Sequence, residues 1–214
     1  SRHQAMEMAV INYLWPTLTI LLSIIIGRKK VSYWVYPSMI IAFLGVAWCI
    51  TGDQEMSLDT LVANFADNPA TYLMALTAAF IWAIYCVVTQ KLSNGKNAIT
   101  LFFTVTAMSL WAQYAFSNEA PLTFSLSSNI TLLLAGVVVG SGYAMWNQAI
   151  IGGNLMLLGT LSYFTPVFST IISALYLSIT LSASFWQGVV LVTVGSLICY
   201  FVTREKPQRL SAKV

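Results

Sequence analysis

The residue types that can do chemistry in this sequence gather in two short words, NYLWP at positions 12–16 and SYFTP at positions 162–166. Each sets a tyrosine three residues before a proline within an apolar run, with a serine (Ser23, Ser173) seven residues after the proline. A proline inside a helix removes an N–H donor and clashes with the carbonyl four residues back, so it bends the helix and frees a carbonyl. Around Pro16 and Pro166 stand the rings of Tyr13, Trp15, Tyr163 and Phe164, and a third apolar run adds Trp82 with Tyr85 one turn on. Aromatic faces take flat apolar solutes by stacking and an ammonium group by cation–π attraction. Asn12, Asn147 and Gln148 are amides that can bond either a solute or a neighbouring helix. Glu7, close to the start of an apolar run, reads equally as a site for an amine or a proton and as a solvated end charge.

Other chemistries are poorly supplied. The single histidine, His3, has no metal-binding companions. Cys49, Cys86 and Cys199 all lie in apolar runs without disulfide or metal spacing, and read as small buried hydrophobes. The sequence contains no GxxxxGK[ST] phosphate loop. It also lacks a Ser–His or paired-Asp constellation within an apolar run, so no catalytic residue, cofactor or metal is expected.

The elements that position these residues follow from composition. Of 214 residues 58% are hydrophobic and only 8% charged, too few charges for a water-facing surface. An all-α polytopic membrane protein is the class that remains, with the lipid bilayer and a small-molecule solute as its partners and no nucleic acid. Seven segments approach the ~20 apolar residues needed to cross a bilayer: 6–27, 34–52, 71–92, 98–116, 129–150, 155–177 and 185–203. Backbone groups in lipid must be bonded within the segment, which makes these helices, and unbroken apolar runs exclude a barrel. Every Lys and Arg except Arg2 falls in connections on one side: Arg28–Lys30, Lys91 and Lys96, and the tail with Arg204, Lys206, Arg209 and Lys213. The positive-inside rule makes that side cytoplasmic, so residue 1 starts outside and the C-terminus lies inside. The acidic connection 53–70 is expected to hold a short interfacial helix, with Ser57 as its N-cap and Leu58, Leu61, Val62 and Phe65 on one face. Trp34, Tyr36, Phe185 and Trp186 read as interfacial belts. Gly136, Gly140 and Gly142 form a small face suited to close helix contact.

Sliding the chain along itself by 150 residues aligns Tyr13 with Tyr163, Pro16 with Pro166, Ser23 with Ser173, Ser32 with Ser182, Gly45 with Gly195 and Cys49 with Cys199, without a gap. Residues 1–52 then match 151–202, while 71–150 have no counterpart in front. The expectation is a five-helix unit used twice, of which this chain holds helices four to ten. Residues 1–52 are the last two helices of the first repeat, 53–70 an extracytoplasmic loop, 71–203 the second repeat and 204–214 a basic cytoplasmic tail. Three helices in about eighty preceding residues, or a second copy, would complete it. An odd unit must enter from opposite sides, and the charges agree: 6–27 runs outside to inside and 155–177 inside to outside. That is an inverted-topology repeat, an architecture of secondary transporters.

At AMEMAVINYLWPTLTILLS, AAFIWAIYCVVTQK and GYAMWNQAIIGGNLMLLGTLSYFTPVFSTIIS the sequence resembles the EamA-type branch of the drug/metabolite transporter superfamily, over nearly its whole length. The resemblance implies a ten-helix bacterial inner-membrane protein of two inverted five-helix halves around a central cavity. It implies that Tyr13, Trp15, Pro16 and Trp82 line that cavity, and that the substrates are small amphipathic metabolites, foremost aromatic or other neutral amino acids, exported by alternating access. Two other classes compete on topology: a seven-helix receptor, and a sugar or nucleotide-sugar carrier of the same superfamily. The receptor fits an internal repeat badly, and an anionic sugar substrate would want basic cavity residues, which are not in the sequence.

Overall fold

A computed structural model describes residues 2–28, 31–51, 58–118, 125–178 and 180–203, and for residues 2–6 and 58–61 the backbone alone. Ser57, the expected N-cap, lies outside the described residues, as do Lys29, Lys30 and the basic tail. Ten helices occupy the described residues: α1 (Arg2–Asn12), α2 (Trp15–Gly27), α3 (Val35–Thr51), α4 (Leu58–Asp67), α5 (Pro69–Leu92), α6 (Ile99–Ala115), α7 (Leu126–Gly152), α8 (Leu155–Ser162), α9 (Thr165–Leu177) and α10 (Ala183–Thr203). Five stretches are long and apolar enough to cross a membrane: Glu7–Gly27, Pro69–Leu92, Leu126–Gly152, Leu155–Leu177 and Ala183–Thr203. α3 and α6 are apolar but only 17 residues each, about 25 Å at 1.5 Å per residue, short of the ~30 Å hydrocarbon core.

At the two proline words the hydrogen-bond ladder is interrupted within an apolar stretch that stays right-handed helical at Leu14 and Phe164, as a proline bend requires. α1 ends at Asn12 and α2 starts at Trp15; α8 ends at Ser162 and α9 starts at Thr165. Leu14 N–H turns back to Ile11 O (3.1 Å) and Phe164 N–H to Leu161 O (3.0 Å), a tightened turn at each break. Each proline therefore sits at the start of a new helix, where its missing N–H has no intrahelical acceptor to serve and its fixed φ suits the first turn. The two broken spans also end alike. Arg28 (φ 46°) and Ser178 (φ 53°) are both left-handed, and each donates its N–H to the carbonyls three and four residues back, Ile25 and Ile24 in one span, Leu175 and Ala174 in the other. Every one of these features recurs 150 positions along.

The chain divides into two compact units, 1–87 with 155–214, and 88–154. In the first, α3 and α10 pack along their length. Partners fall in number on α10 as they rise on α3 (Ala42 with Gly195, Gly45 with Val192, Cys49 with Gly188), so the helices are antiparallel. A β-carbon on Gly45 would stand 2.5 Å from Val192 N and 2.9 Å from Gly188 O; one on Gly195 would stand 2.5 Å from Ala42 N and 2.8 Å from Ser38 O. Shifted by 150, the first set of neighbours becomes the second. Such reciprocity is what a two-fold contact produces, residue i touching j and j's mate touching i's mate. Small residues let the backbones approach, the usual basis of helix association where lipid supplies no hydrophobic drive. The core built on this pair includes Ile20, Val35, Met39, Val46, Tyr163, Phe185 and Val192.

In the second unit, α6 packs on α7, and Phe103 meets Tyr143 edge-on at 5.5 Å. Gln90 Nε2 donates to the carbonyls of Gly153 (2.9 Å) and Ile150 (3.2 Å), closing the end of α7. The close helix contact expected at Gly136, Gly140 and Gly142 is not found among the described residues: nothing stands within 4 Å of a β-carbon at any of the three.

Candidate functional site

Trp15, the first residue of α2, meets Trp82 of α5 edge-on, with ring centroids 6.0 Å apart and planes at 81°. Trp82 in turn lies 5.3 Å from Tyr85, three residues further along the same helix. α5 is not among the closely packed helix pairs of its unit, so long indole rings, rather than backbone contact, span the distance to α2. Trp15, Trp82, Tyr85 and Tyr13 are all half-buried, each offering part of a ring, and the amide of Asn12 is exposed beside them. On the other broken span Phe164 is half-buried and tilts against exposed Phe168 at 6.2 Å. Half-exposed rings beside an exposed amide, at the level of a break in the helix, can stack a planar apolar group and bond a polar one.

Pro16 and Pro166 are both buried in protein. Tyr163 presents nothing to a solute in this conformation. It is fully buried, and its hydroxyl shares a hydrogen bond of 2.6 Å with Thr17 Oγ1. That bond ties α2 to the turn that follows α8, and Gly159, whose β-carbon would stand 2.8 Å from the Ile20 side chain, brings α2 against α8 itself. Asn147 belongs to the second unit, where it is buried and donates from Nδ2 to Asn97 Oδ1 at 2.5 Å. The amide therefore fixes the stretch before α6.

Glu7 is not a solvated end charge. It is 3% exposed, accepting from Asn64 Nδ2 at both oxygens (3.0 and 3.2 Å) and from the Tyr72 hydroxyl. Neither Asn64 nor Tyr72 drew notice in the sequence, because they lie 57 and 65 positions away and carry no local pattern. Thr17, Gln90 and Asn97 escaped for the same reason. A cavity of about 390 Å³ lies elsewhere, lined by Trp48, Gln187, Val190 and Leu191 of α3 and α10, and involves none of the aromatic residues singled out above. Among the described residues no group of His, Cys, Asp or Glu is placed to hold a metal ion.

Comparison with known proteins identifies the family. The chain is 43% identical over 206 residues to the aromatic amino acid exporter YddG of Salmonella typhimurium, covering 96% of this chain and 70% of that protein. To the exporter of the same name from Escherichia coli it is 41% identical over 205 residues, with the same coverage. An Ancylobacter novellus protein of that name is 25% identical over 171 residues, 78% of this chain and 56% of its own. A crystal structure superposes with a TM-score of 0.72 over 94% of this chain and 68% of its own, at 20% identity, a likeness of fold. The EamA-like transporter family model matches residues 69–201. Receptor and enzyme readings fall away: the chain belongs to the EamA-like transporter family, and is a multi-pass membrane transporter.

Proposed function

We propose that this protein exports small amphipathic metabolites, foremost aromatic and other neutral amino acids, by alternating access between two inverted halves whose broken spans are α1–α2 and α8–α9. The names borne by the relatives at 41% and 43% identity support the substrate class. The half-exposed rings of Trp15, Trp82, Tyr85 and Tyr13 supply the chemistry it needs. Stacking orders a flat side chain, and a ring face accepts an ammonium.

The observation that carries the mechanism is an asymmetry between matched segments. α2 packs closely on α8, whereas among the described residues no comparably close packing joins α9 and α1, their counterparts 150 positions away. Thr19 and Ser23 on α2 are buried, and Ser169 and Ser173 on α9 are exposed. A pseudo-two-fold molecule with one such pair closed has a second state with the pairs exchanged, at similar energy, because each pair is built from the same positions. With the basic connections on the cytoplasmic side, α2 and α8 form the inner gate, and the conformation is open outward. The seven spans of this account include the two 17-residue helices α3 and α6.

The reading is tested with the intact gene product in cells lacking other aromatic exporters, or in proteoliposomes. Trp82→Ala and Tyr13→Ala lower export of labelled phenylalanine or tryptophan by about five- to tenfold, the scale of one lost ring contact, at equal membrane abundance. Unchanged efflux in both variants overturns the site.

A further inference from the structure

We propose that the furrow between α3 and α10 binds one phospholipid, with an acyl chain along Val190 and Leu191 and a glycerol ester carbonyl at the Gln187 amide. The inference stands apart from the transport reading and needs only that the chain lies in a bilayer.

The furrow follows from the glycine contact. A β-carbon on Gly188 would stand 2.6 Å from Cys49 Sγ and 2.7 Å from Cys49 N, and one on Gly45 would stand 2.9 Å from the Leu191 β-carbon. Backbones this close force larger neighbouring side chains aside. The cavity of about 390 Å³ opens there, walled by Trp48 on α3 and by Gln187, Val190 and Leu191 on α10. All four side chains are exposed.

Position along the helices gives the furrow a polar end and an apolar end. Gln187 lies four residues from the start of α10 and Trp48 three from the end of α3, within about 6 Å of the span end at ~1.5 Å per residue. That is the depth at which lipid esters meet the hydrocarbon, and at which indole rings concentrate. Gln187 Nε2 and Trp48 Nε1 are donors, and an ester carbonyl only accepts. Val190 and Leu191 lie one turn further in, where an acyl chain runs. No charged residue occurs in α3 or α10, so nothing there reads a headgroup, and the glycerol ester is the recognised group.

Size separates a lipid from a second copy of this chain. A helix about 10–12 Å across would put only ~5 Å or less of its length, under one turn, into about 390 Å³. At the ~30 Å³ of a water-sized group the same space holds roughly a dozen methylenes, the scale of one chain in a leaflet whose half-core is ~15 Å deep.

The offset of 150 supplies a comparison within the molecule. It carries Trp48 to Ile198, Gln187 to Pro37, Val190 to Ile40 and Leu191 to Ile41. The matched stretch, at the other end of the same helix pair, keeps the apolar bulk but has neither amide nor indole. Apolar surface is duplicated; the polar groups belong to one end alone.

The test titrates the intact protein in detergent micelles with a phosphatidylethanolamine carrying a diazirine in mid-chain, and maps the light-induced adducts by mass spectrometry. Adducts are expected to reach a plateau near one per protein and to concentrate on the peptides holding Trp48 and residues 187–191, with few at Ile40, Ile41 and Ile198. Phosphatidylglycerol competes as well as phosphatidylethanolamine does. A diether analogue without ester carbonyls competes about fivefold less well, the scale of one lost hydrogen bond, and Gln187→Leu removes that difference between ester and ether. Val190→Trp, which fills the furrow from an exposed position, abolishes the adducts and serves where Gln187→Leu does not fold. Adducts shared evenly by the two ends and rising without a plateau would mean solvating lipid only, and overturn the proposal. Ester and ether competing equally in the wild type overturns it too, as does a disulfide joining Val190→Cys residues of two copies at the expense of adducts, which would give the furrow to a second copy.

Discussion

Adding a methyl group at Gly45 or Gly195 puts the antiparallel α3–α10 contact under direct test. A β-carbon at either position would stand 2.5 Å from a backbone nitrogen, against 3.4–4 Å for ordinary contact. The obstructing atoms are main chain, so no rotamer change relieves them, and the helices must part locally by about 1 Å, an overpacking of the kind that costs roughly 1–3 kcal/mol. Alanine regains up to ~1 kcal/mol of helix propensity over glycine, which leaves a net loss of up to about 2 kcal/mol for each variant. Because the two sites are reciprocal, Gly45→Ala and Gly195→Ala lose similar amounts. The double variant loses less than the sum, since a separation forced by one methyl makes room for the other. Gly136→Ala, with nothing within 4 Å, gains up to ~1 kcal/mol from propensity alone. Unfolding of the detergent-purified protein, followed by a thiol-reactive dye that reaches buried Cys49, Cys86 and Cys199 only as the helices separate, ranks the four proteins. Gly45→Ala as stable as Gly136→Ala, or a large difference between Gly45→Ala and Gly195→Ala, refutes the reasoning.

Further expectations concern single contacts. Tyr163→Phe removes the hydroxyl that meets Thr17, worth about 1 kcal/mol, and shifts the molecule roughly fivefold towards the state with α2 and α8 apart, read by distance distributions between spin labels on those helices. The residue matching Thr17 on the other span is Val167, which offers no hydroxyl, so Tyr13→Phe forfeits no equivalent bond and leaves that distribution in place. Cys86 and Cys199, both fully buried, react with maleimide in intact membranes at least ~10-fold more slowly than a cysteine introduced at exposed Val62, because reaction needs access to the thiolate; comparable rates would show that the helices open more readily than their packing implies.

The bulk of the architecture was legible because membrane helices announce themselves by length and apolarity. α5 and α10 lie within two residues of the segments read from composition. The offset of 150 was visible in Tyr13 and Tyr163, Pro16 and Pro166, Gly45 and Gly195, since proline and glycine mark backbone features that apolar side chains do not. What a proline does to its helix was legible in kind, since a lost N–H interrupts the ladder at Pro16 and Pro166 alike, while the tightened turn beside each depends on how neighbours pack. Burial was least legible. Glu7 near a span end reads equally as a binding group and as a solvated charge until Asn64 and Tyr72 are brought to it from 57 and 65 positions away, and Tyr163 looks like a solute contact until Thr17 occupies its hydroxyl. Gly136, Gly140 and Gly142 have the spacing of a packing face, but spacing alone does not supply a partner. Trp15 and Trp82 stood out singly as rings deep in apolar segments, but their edge-on contact came only with the structure, because they lie on helices far apart in sequence.

Alternating access in this protein requires exchange between two matched pairs of half-helices, and thiol cross-linking measures that exchange directly. In the intact protein with its native cysteines replaced, one variant carries Ile20→Cys with Gly159→Cys, across α2 and α8; another carries Ala9→Cys with Thr170→Cys, the same two positions displaced by 150, across α1 and α9. A short bifunctional thiol reagent is expected to join the first pair efficiently and the second poorly at rest. A cytoplasmic excess of substrate is expected to reverse the order, and locking either pair should stop transport. Pairs that cross-link together, or an α1–α9 pair that never joins while transport proceeds, would contradict the exchange.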